Sequence, residues 1–265
     1  MDIPPLKSLK ILLIGEYCRD RYLFGTVDRV SPEAPVPIFK SAETTETEGM
    51  GGNVGKNLEA LGNKVVFIHN EEPIKKTRVI DKRYNQQLLR IDDEDIPLKP
   101  CKPSYLPDFT KYDGIVVSDY DKGFLPLGVL ADLTNEAWLC NVPIFLDTKK
   151  SYLGGVQNAF VKMNEPEYAR LRTASHCTSN EYIITKGDKG AEWKGKMYPT
   201  KKVNLFDPTG AGDTFLSAFA TSYLRNPMLK DTERIEKAIY FANSCAAVSV
   251  TKLGCYAVKP EEIHE

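Results

Sequence analysis

The chain has 265 residues, of which 42% are hydrophobic and 27% charged. That length admits one large α/β domain or two small ones, and the composition excludes an intrinsically disordered chain. A formal net charge of −1 gives no electrostatic reason to expect nucleic acid or an anionic membrane as partner, although a local basic pocket for a phosphorylated substrate stays open.

In chain order, short apolar, β-branched runs alternate with helical patterns. Strands are expected at 10–15, 64–69, 114–118, 142–147, 159–163 and 181–185, and helices at 53–62, 127–140, 165–173, 212–225 and 232–252. The alternation predicts an α/β fold with a mostly parallel sheet covered by helices on both faces. In such folds ligands bind beyond the carboxyl ends of the strands, so the polar residues after each run are the ones to inspect. Two segments break the alternation. Residues 21–48, with Pro32, Pro35 and Pro37, and residues 75–92 suit strands that form a small β-layer. Residues 97–107 read as a connector.

Segment 11–14 (Ile-Leu-Leu-Ile) has strand length and is not a signal peptide. No uninterrupted apolar stretch reaches the roughly 18 residues that span a membrane. The six cysteines (18, 101, 140, 177, 245 and 255) form no Cys-x-x-Cys pair, and no histidine sits at zinc-site spacing. Free thiols in a reducing, cytoplasmic setting are expected.

The chemistry concentrates at 203–225. Val203-Asn-Leu-Phe206 reads as a strand, followed by Asp207-Pro-Thr-Gly210-Ala211-Gly212-Asp213 and an apolar helix. Glycines at a helix start let the backbone approach an anion, which the free amides and the dipole favour. A carboxylate in that first turn, Asp213, can take a proton from an attacking hydroxyl while the amides hold a phosphoryl group. A plain N-cap with turn glycines is the simpler alternative, and the full seven-residue string weighs against it.

This string, followed by Thr214-Phe215, resembles the signature of the ribokinase-like, phosphofructokinase-B family of sugar kinases. Three further segments resemble that family in the same order. They are Gly51-Gly52-Asn53 with Asn57, Asn164-Glu-Pro-Glu167, and Thr185-Lys-Gly187-Asp-Lys-Gly190. The resemblance implies a three-layer α/β/α sandwich with a small β-sheet lid, spanning 1–265 as one kinase domain with lid segments at about 17–48 and 75–93. It implies ATP and Mg2+, with Gly210, Ala211, Gly212 and Asp213 at the reacting phosphoryl group. Gly52, Asn53 and Asn57 would bind the sugar. Asn164, Thr185, Gly187, Gly190, Asp207 and Asn243 would border the nucleotide, and Asn164 and Glu167 would help hold the metal through water.

Within the family, Asp20-Arg-Tyr22, the 29–37 segment, Asn85–Asp92 and Ser118-Asp119-Tyr120-Asp-Lys122-Gly123 resemble heptose-7-phosphate kinases, as does Thr251-Lys-Leu-Gly254. That likeness implies transfer to the anomeric hydroxyl of D-glycero-β-D-manno-heptose 7-phosphate, giving the 1,7-bisphosphate, with Asp20, Arg90 and Asp119 on the substrate side. Bifunctional relatives carry a further nucleotidyltransferase domain, and a chain that stops at Glu265 is expected to lack that activity. The residue types agree. Asp20 and Asn53 suit sugar hydroxyls, with a turn or cap role as the alternative. Arg90 suits a phosphate, whereas Lys82 and Arg83 fit a solvated strand face better. Lys149 could reach phosphates, or form a solvated pair with Lys150. The lid should close over the sugar, and its strand edges offer a place for a second subunit in a homodimer.

Four departures stand out against that pattern. Met50 takes the place of a glycine, and Glu16 stands where the heptose kinases carry Asp, which should push a carboxylate deeper into the sugar site. Thr148 stands where they carry Pro. Roughly 30 residues, about one supersecondary unit, are missing after Asn70, which should leave a sheet edge or face uncovered. Two other phosphate motifs fail. A P-loop would need Gly at 50 and Ser or Thr at 57, and a dinucleotide fingerprint would need Gly at 54, where Val54 stands. A catalytically silent sugar- or nucleotide-binding relative is the other reading, and the retention of Asp213, Asn164 and Glu167 argues against it.

Overall fold

The computed structural model describes residues 8–93, 98–171 and 177–263. The chain divides into two compact units, one of residues 1–16, 50–70 and 98–265, the other of residues 17–49 and 71–97.

The larger unit is built on a sheet of eight strands. In chain order these are β1 (Lys10–Gly15), β4 (Lys64–Ile68), β7 (Gly114–Asp119), β8 (Ile144–Thr148), β9 (Phe160–Asn164), β10 (Glu181–Thr185), β11 (Ala191–Trp193) and β12 (Lys196–Tyr198). In space they run β4-β1-β7-β8-β9-β10-β11-β12. The first six are parallel, and β11 and β12 close the far edge antiparallel. Among the described residues five α-helices cover it: α1 (Gly51–Ala60), α2 (Leu127–Leu139), α3 (Glu165–Arg170), α4 (Ala211–Arg225) and α5 (Asp231–Ser249).

The continuous apolar run of β1 follows from this layering, because both of its faces are buried. Ile11 and Leu13 pack into a core shared with Val54 and Leu58 of α1, Phe219 of α4 and Ile239 of α5. Leu12 and Ile14 pack into a second core with Leu130 and Leu133 of α2. The expected strands and helices are present, with ends shifted by a few residues, although residues 172–173 of the expected third helix lie outside the described residues. One expectation fails. Residues 203–206 are not a strand. They leave the sheet after β12, Phe206 is 67% exposed, and its amide and that of Asp207 donate to the Val250 carbonyl instead.

The smaller unit is a four-stranded sheet of β2 (Tyr17–Val30), β3 (Pro37–Met50, all but its last residue in this unit), β5 (Ile74–Asp81) and β6 (Gln86–Asp93), ordered β3-β2-β5-β6. β2 and β5 run parallel, and β5 and β6 pair antiparallel with an irregularity between Val79 and Ile80. Every residue of β6 is exposed. This sheet is the β-layer expected from residues 21–48 and 75–92.

Two departures have structural counterparts. Met50 caps α1 at φ 53°, a backbone region that costs a non-glycine residue strain, and its side chain is buried. Among the described residues β4 has a strand neighbour on one side only, with Val66 39% exposed, and the chain passes from β4 to β5 in five residues.

Candidate active site

The carboxyl ends of β7, β8, β9 and β10 converge with the start of α4 on a cavity of about 550 Å³. Tyr120, Asp147, Lys149, Lys162, Asn164, Thr185, Gly187, Gly210, Gly212 and Asp213 are among the residues lining it. Gly210 sits in the left-handed region (φ 79°) as N-cap of α4. A side chain there would press on the Asn53 amide, and one at Gly212 would lie 2.7 Å from Lys162 Nζ. Both glycines therefore admit neighbours that any other residue would displace. The first-turn amides of α4, a 15-residue helix, have no helical partners, and Asp213 lies among them.

Asp213 is buried and both its oxygens are engaged. Asn53 Nδ2 donates to Oδ2 at 2.7 Å, and the Tyr120 hydroxyl donates to Oδ1 at 3.1 Å. Burial raises its pKa to about 6, with Asp147 adding to the rise while Asn53, Lys162 and Tyr120 oppose it. A carboxyl poised near 6 is ionised at neutral pH yet basic enough to accept a proton. Asn57 holds the arrangement from behind. Its amide donates to the Asn53 backbone oxygen at 2.9 Å, and its Oδ1 accepts from the Thr214 hydroxyl at 3.0 Å. Gly52 is buried in the same first turn of α1.

Across the cavity, Lys162 Nζ pairs with Asp147 Oδ2 at 2.7 Å, and Lys149 Nζ pairs with Glu167 Oε1 at 2.5 Å. Burial would raise the Asp147 pKa, but Lys162 and Lys149 outweigh it and hold the group below the ordinary carboxylate range. Asp147 Oδ1 has no hydrogen bond, its nearby cation being Lys149 Nζ at 3.6 Å. Asn164 and Glu167 form a reciprocal capping box on α3, each side chain accepting the other's backbone amide at 2.8 Å. No cluster of three or more His, Cys, Asp or Glu residues suited to a metal occurs among the described residues. The oxygen donors present suit a hard cation that keeps its waters and takes most of its ligands from phosphates.

Glu16 does not reach into a sugar site, contrary to the expectation from its extra methylene. Its carboxylate is fully buried and accepts the backbone amides of Tyr120 (2.7 Å), Lys122 (3.1 Å) and Phe124 (3.3 Å). Burial and then Asp119 raise its pKa to about 7 against those amides. Asp119 is turned to the same task. It is buried, accepts from Thr148 Oγ1 at 2.5 Å, pairs with Lys150 at 3.2 Å and receives the Asp121 amide at 3.0 Å. Thr148, where proline would have no hydroxyl, is thus part of the loop's anchorage. Asp119 does not line the cavity, whereas Tyr120 does.

A second cavity of about 530 Å³ shares Thr185, Gly187 and Gly212 with the first. Gly190, Val203, Leu205, Phe215, Asn243, Ala246 and Val250 complete much of its wall, which suits a flat apolar group. Asn243 is buried and donates to the Tyr198 carbonyl at 2.8 Å, so it shapes the wall through the backbone. Asp207 ties two loops together, accepting from Thr209 N at 2.9 Å and Gly254 N at 2.8 Å. Lys150 lies in the ion pairs with Asp119 and Asp121, not in a solvated pair with Lys149.

In the smaller unit, buried Asp20 is paired with Arg78, whose guanidinium also stacks 5.4 Å from the Tyr22 ring. Arg78 lies in register with Arg90, which binds Asp92 through two bonds of 2.7 and 2.6 Å. Lys82 pairs with Glu43 and Arg83 with Asp28 and Asp81, as a solvated strand face would. Sequence reasoning had not singled out Lys162, Asp147 or Arg78. Lys162 and Asp147 are each a single charge in an apolar run, and only the register of neighbouring strands makes them partners; Arg78 is one of three cations in its strand, and only the fold shows which of them meets Asp20.

Residues 147–262 match the model of the pfkB family of carbohydrate kinases. The chain is 30% identical over 312 residues to the bifunctional protein HldE of Campylobacter curvus, and 28% identical over 315 residues to that of Actinobacillus pleuropneumoniae serotype 5b. These matches cover 98% of this chain but only 65% and 64% of the relatives. They extend over more positions than the chain has residues, so the relatives carry additional residues inside the matched span. Among solved structures, Escherichia coli phosphofructokinase-2 aligns with a TM-score of 0.72 at 14% identity, covering 97% of both chains. Thermotoga maritima ribokinase aligns with a TM-score of 0.66 at 20% identity, covering 96% of this chain and 98% of that one. No helix among the described residues is long and apolar enough to cross a membrane. The chain has the ribokinase-like fold, and its residues 147–262 are similar to the pfkB family of carbohydrate kinases.

Proposed function

We propose that this chain transfers the γ-phosphoryl group of ATP to a hydroxyl of a sugar or sugar phosphate, with Asp213 as the base. The observation that carries this reading is the placement of a buried carboxyl, with pKa near 6, in the first turn of α4 beside amides and two lysines. Amides at a helix start and cations fixed around one cavity suit a phosphoryl group in flight, for which positioning and charge supply most of the catalysis. The apolar cavity next to it suits the base of the nucleotide, with Thr185, Gly187 and Gly190 at its border. Asp213 would accept the hydroxyl proton on Oδ1, Asn53 holding Oδ2. A magnesium ion bound with the nucleotide would neutralise phosphate charge. Asn164 and Glu167 would hold it through water, and Asp147 offers the oxygen that has no hydrogen bond.

D-glycero-β-D-manno-heptose 7-phosphate is the acceptor we favour, on the strength of the 20–22, 29–37, 85–92 and 118–123 motifs and of the HldE relatives. A panel of sugars and sugar phosphates with coupled detection of ADP tests this. Turnover greatest with the heptose phosphate is expected. A clear preference for an unphosphorylated sugar would replace the acceptor and leave the kinase standing.

A further inference from the structure

Tyr120 has no part in the reading above, yet an unusual amount of structure aims it. The loop that bears it is fixed by three backbone amides on buried Glu16, by Asp119 with Thr148 and Lys150, and by Asp121 in the left-handed region (φ 58°). The result is a hydroxyl 3.1 Å from Asp213 Oδ1. Which oxygen it meets is decisive. Oδ2 is held by Asn53, which is 1% exposed and does not line the cavity. Oδ1 is therefore the oxygen left for an acceptor, and Tyr120, which does line the cavity, already donates to it. A half-buried phenol gains from a partner, but that alone does not explain why the partner is the one oxygen an incoming hydroxyl must use.

We propose that the Tyr120 hydroxyl is a placeholder for the acceptor hydroxyl. It donates to Asp213 Oδ1 while the acceptor is absent and yields that oxygen when the acceptor binds. The proposal rests on the kinase reading of the site. Its consequence is protection of ATP. Without the placeholder a water could donate to Oδ1. Its oxygen would then bond to the γ-phosphorus as the bond to the β,γ-bridging oxygen breaks. The proton would pass to Asp213, and ADP and inorganic phosphate would leave. With Tyr120 in place that water has no base. Lys149 Nζ also lies over the ring, 5.5 Å from its centroid.

The test is ADP release from ATP in the absence of any sugar, for the whole chain as wild type, Tyr120→Phe and Tyr120→Phe/Asp213→Asn. Tyr120→Phe should raise the sugar-independent rate roughly three- to tenfold, the worth of one ordinary hydrogen bond expressed as a rate ratio. The double variant should return to the wild-type rate. A rate in Tyr120→Phe that is unchanged or lower overturns the proposal, because a residue that merely props up the base would lower it. A rise that survives Asp213→Asn overturns it too, since the leak would not run through the base. A wild type that phosphorylates no sugar, and whose ATP turnover is indifferent to Asp213→Asn, removes the kinase reading itself and is recognised without any Tyr120 variant.

A second arm needs no turnover. In protein carrying 13C at the tyrosine ζ carbons, saturation with heptose 7-phosphate should move the Tyr120 resonance as its hydrogen bond is given up. A resonance that stays in place at saturation contradicts displacement, and this arm decides the matter if Tyr120→Phe does not fold.

Discussion

The side-chain amide of Asn53 donates to Asp213 Oδ2 at 2.7 Å, joining residues 160 positions apart in the chain. The bond ties the first turn of α1 to the first turn of α4. The Thr214–Asn57 bond and the bond from Ser217 Oγ to the Val54 carbonyl at 3.1 Å run alongside it. The base is thus held by a second helix as well as by its own.

Asn53→Ala removes a donor to the ionised carboxylate. It should lower kcat/KM at neutral pH about tenfold or more, on the scale of a hydrogen bond to a charged group. The Asp213 pKa should rise further, moving the acid limb of the pH profile upward. A lowered rate with an unmoved limb would assign Asn53 to sugar binding alone.

For the wild type, the acid limb of kcat/KM should fall near pH 6, because Asp213 works in its ionised form and titrates at about 6. The stability sign is opposite. A folded-state pKa above the ordinary 3.8 means that the native state binds the proton more tightly. That contribution is complete below about pH 3.8 and is lost as pH rises through 6. An acid limb near pH 4 would mean that the base is solvated.

Glu16 gives the same sign over a higher window, from its ordinary 4.5 to about 7. Urea midpoints measured at pH 5 and pH 7.5 should fall with rising pH in the wild type, and Glu16→Gln should flatten that fall. Equal slopes in the two proteins would show that Glu16 titrates normally.

Lys162→Met leaves buried Asp147 without its closer cation. Breaking a buried pair in this way costs about 3–5 kcal/mol, to be read from chemical denaturation, and Asp147→Asn in the same chain should recover part of the loss. The KM for ATP should rise as well, since Lys162 Nζ lies against Gly212 at the head of α4.

Much of the fold was legible because its signals are local. The apolar run of β1 and the period of α4 report burial by themselves, and Asp207–Asp213 carries its helix start within seven residues. The strand expected at 203–206 failed because an apolar run says nothing of whether a sheet edge is within reach; that segment lies on the surface and bonds to Val250. Lys162 and Asp147 were illegible for a related reason. Each is one charge in an apolar strand, and only the parallel register that sets Asp147 beside Lys162 makes them a pair. Glu16 was misread because its partners are backbone amides more than 100 positions away, which no side-chain motif records.

The most direct test of the account is kcat for ATP-dependent phosphorylation of heptose 7-phosphate by Asp213→Asn, which keeps the shape and removes the base. A fall of about 10²–10⁴ is expected, the usual worth of general base catalysis. A kcat close to the wild-type value would contradict the role of Asp213 and the account built on it.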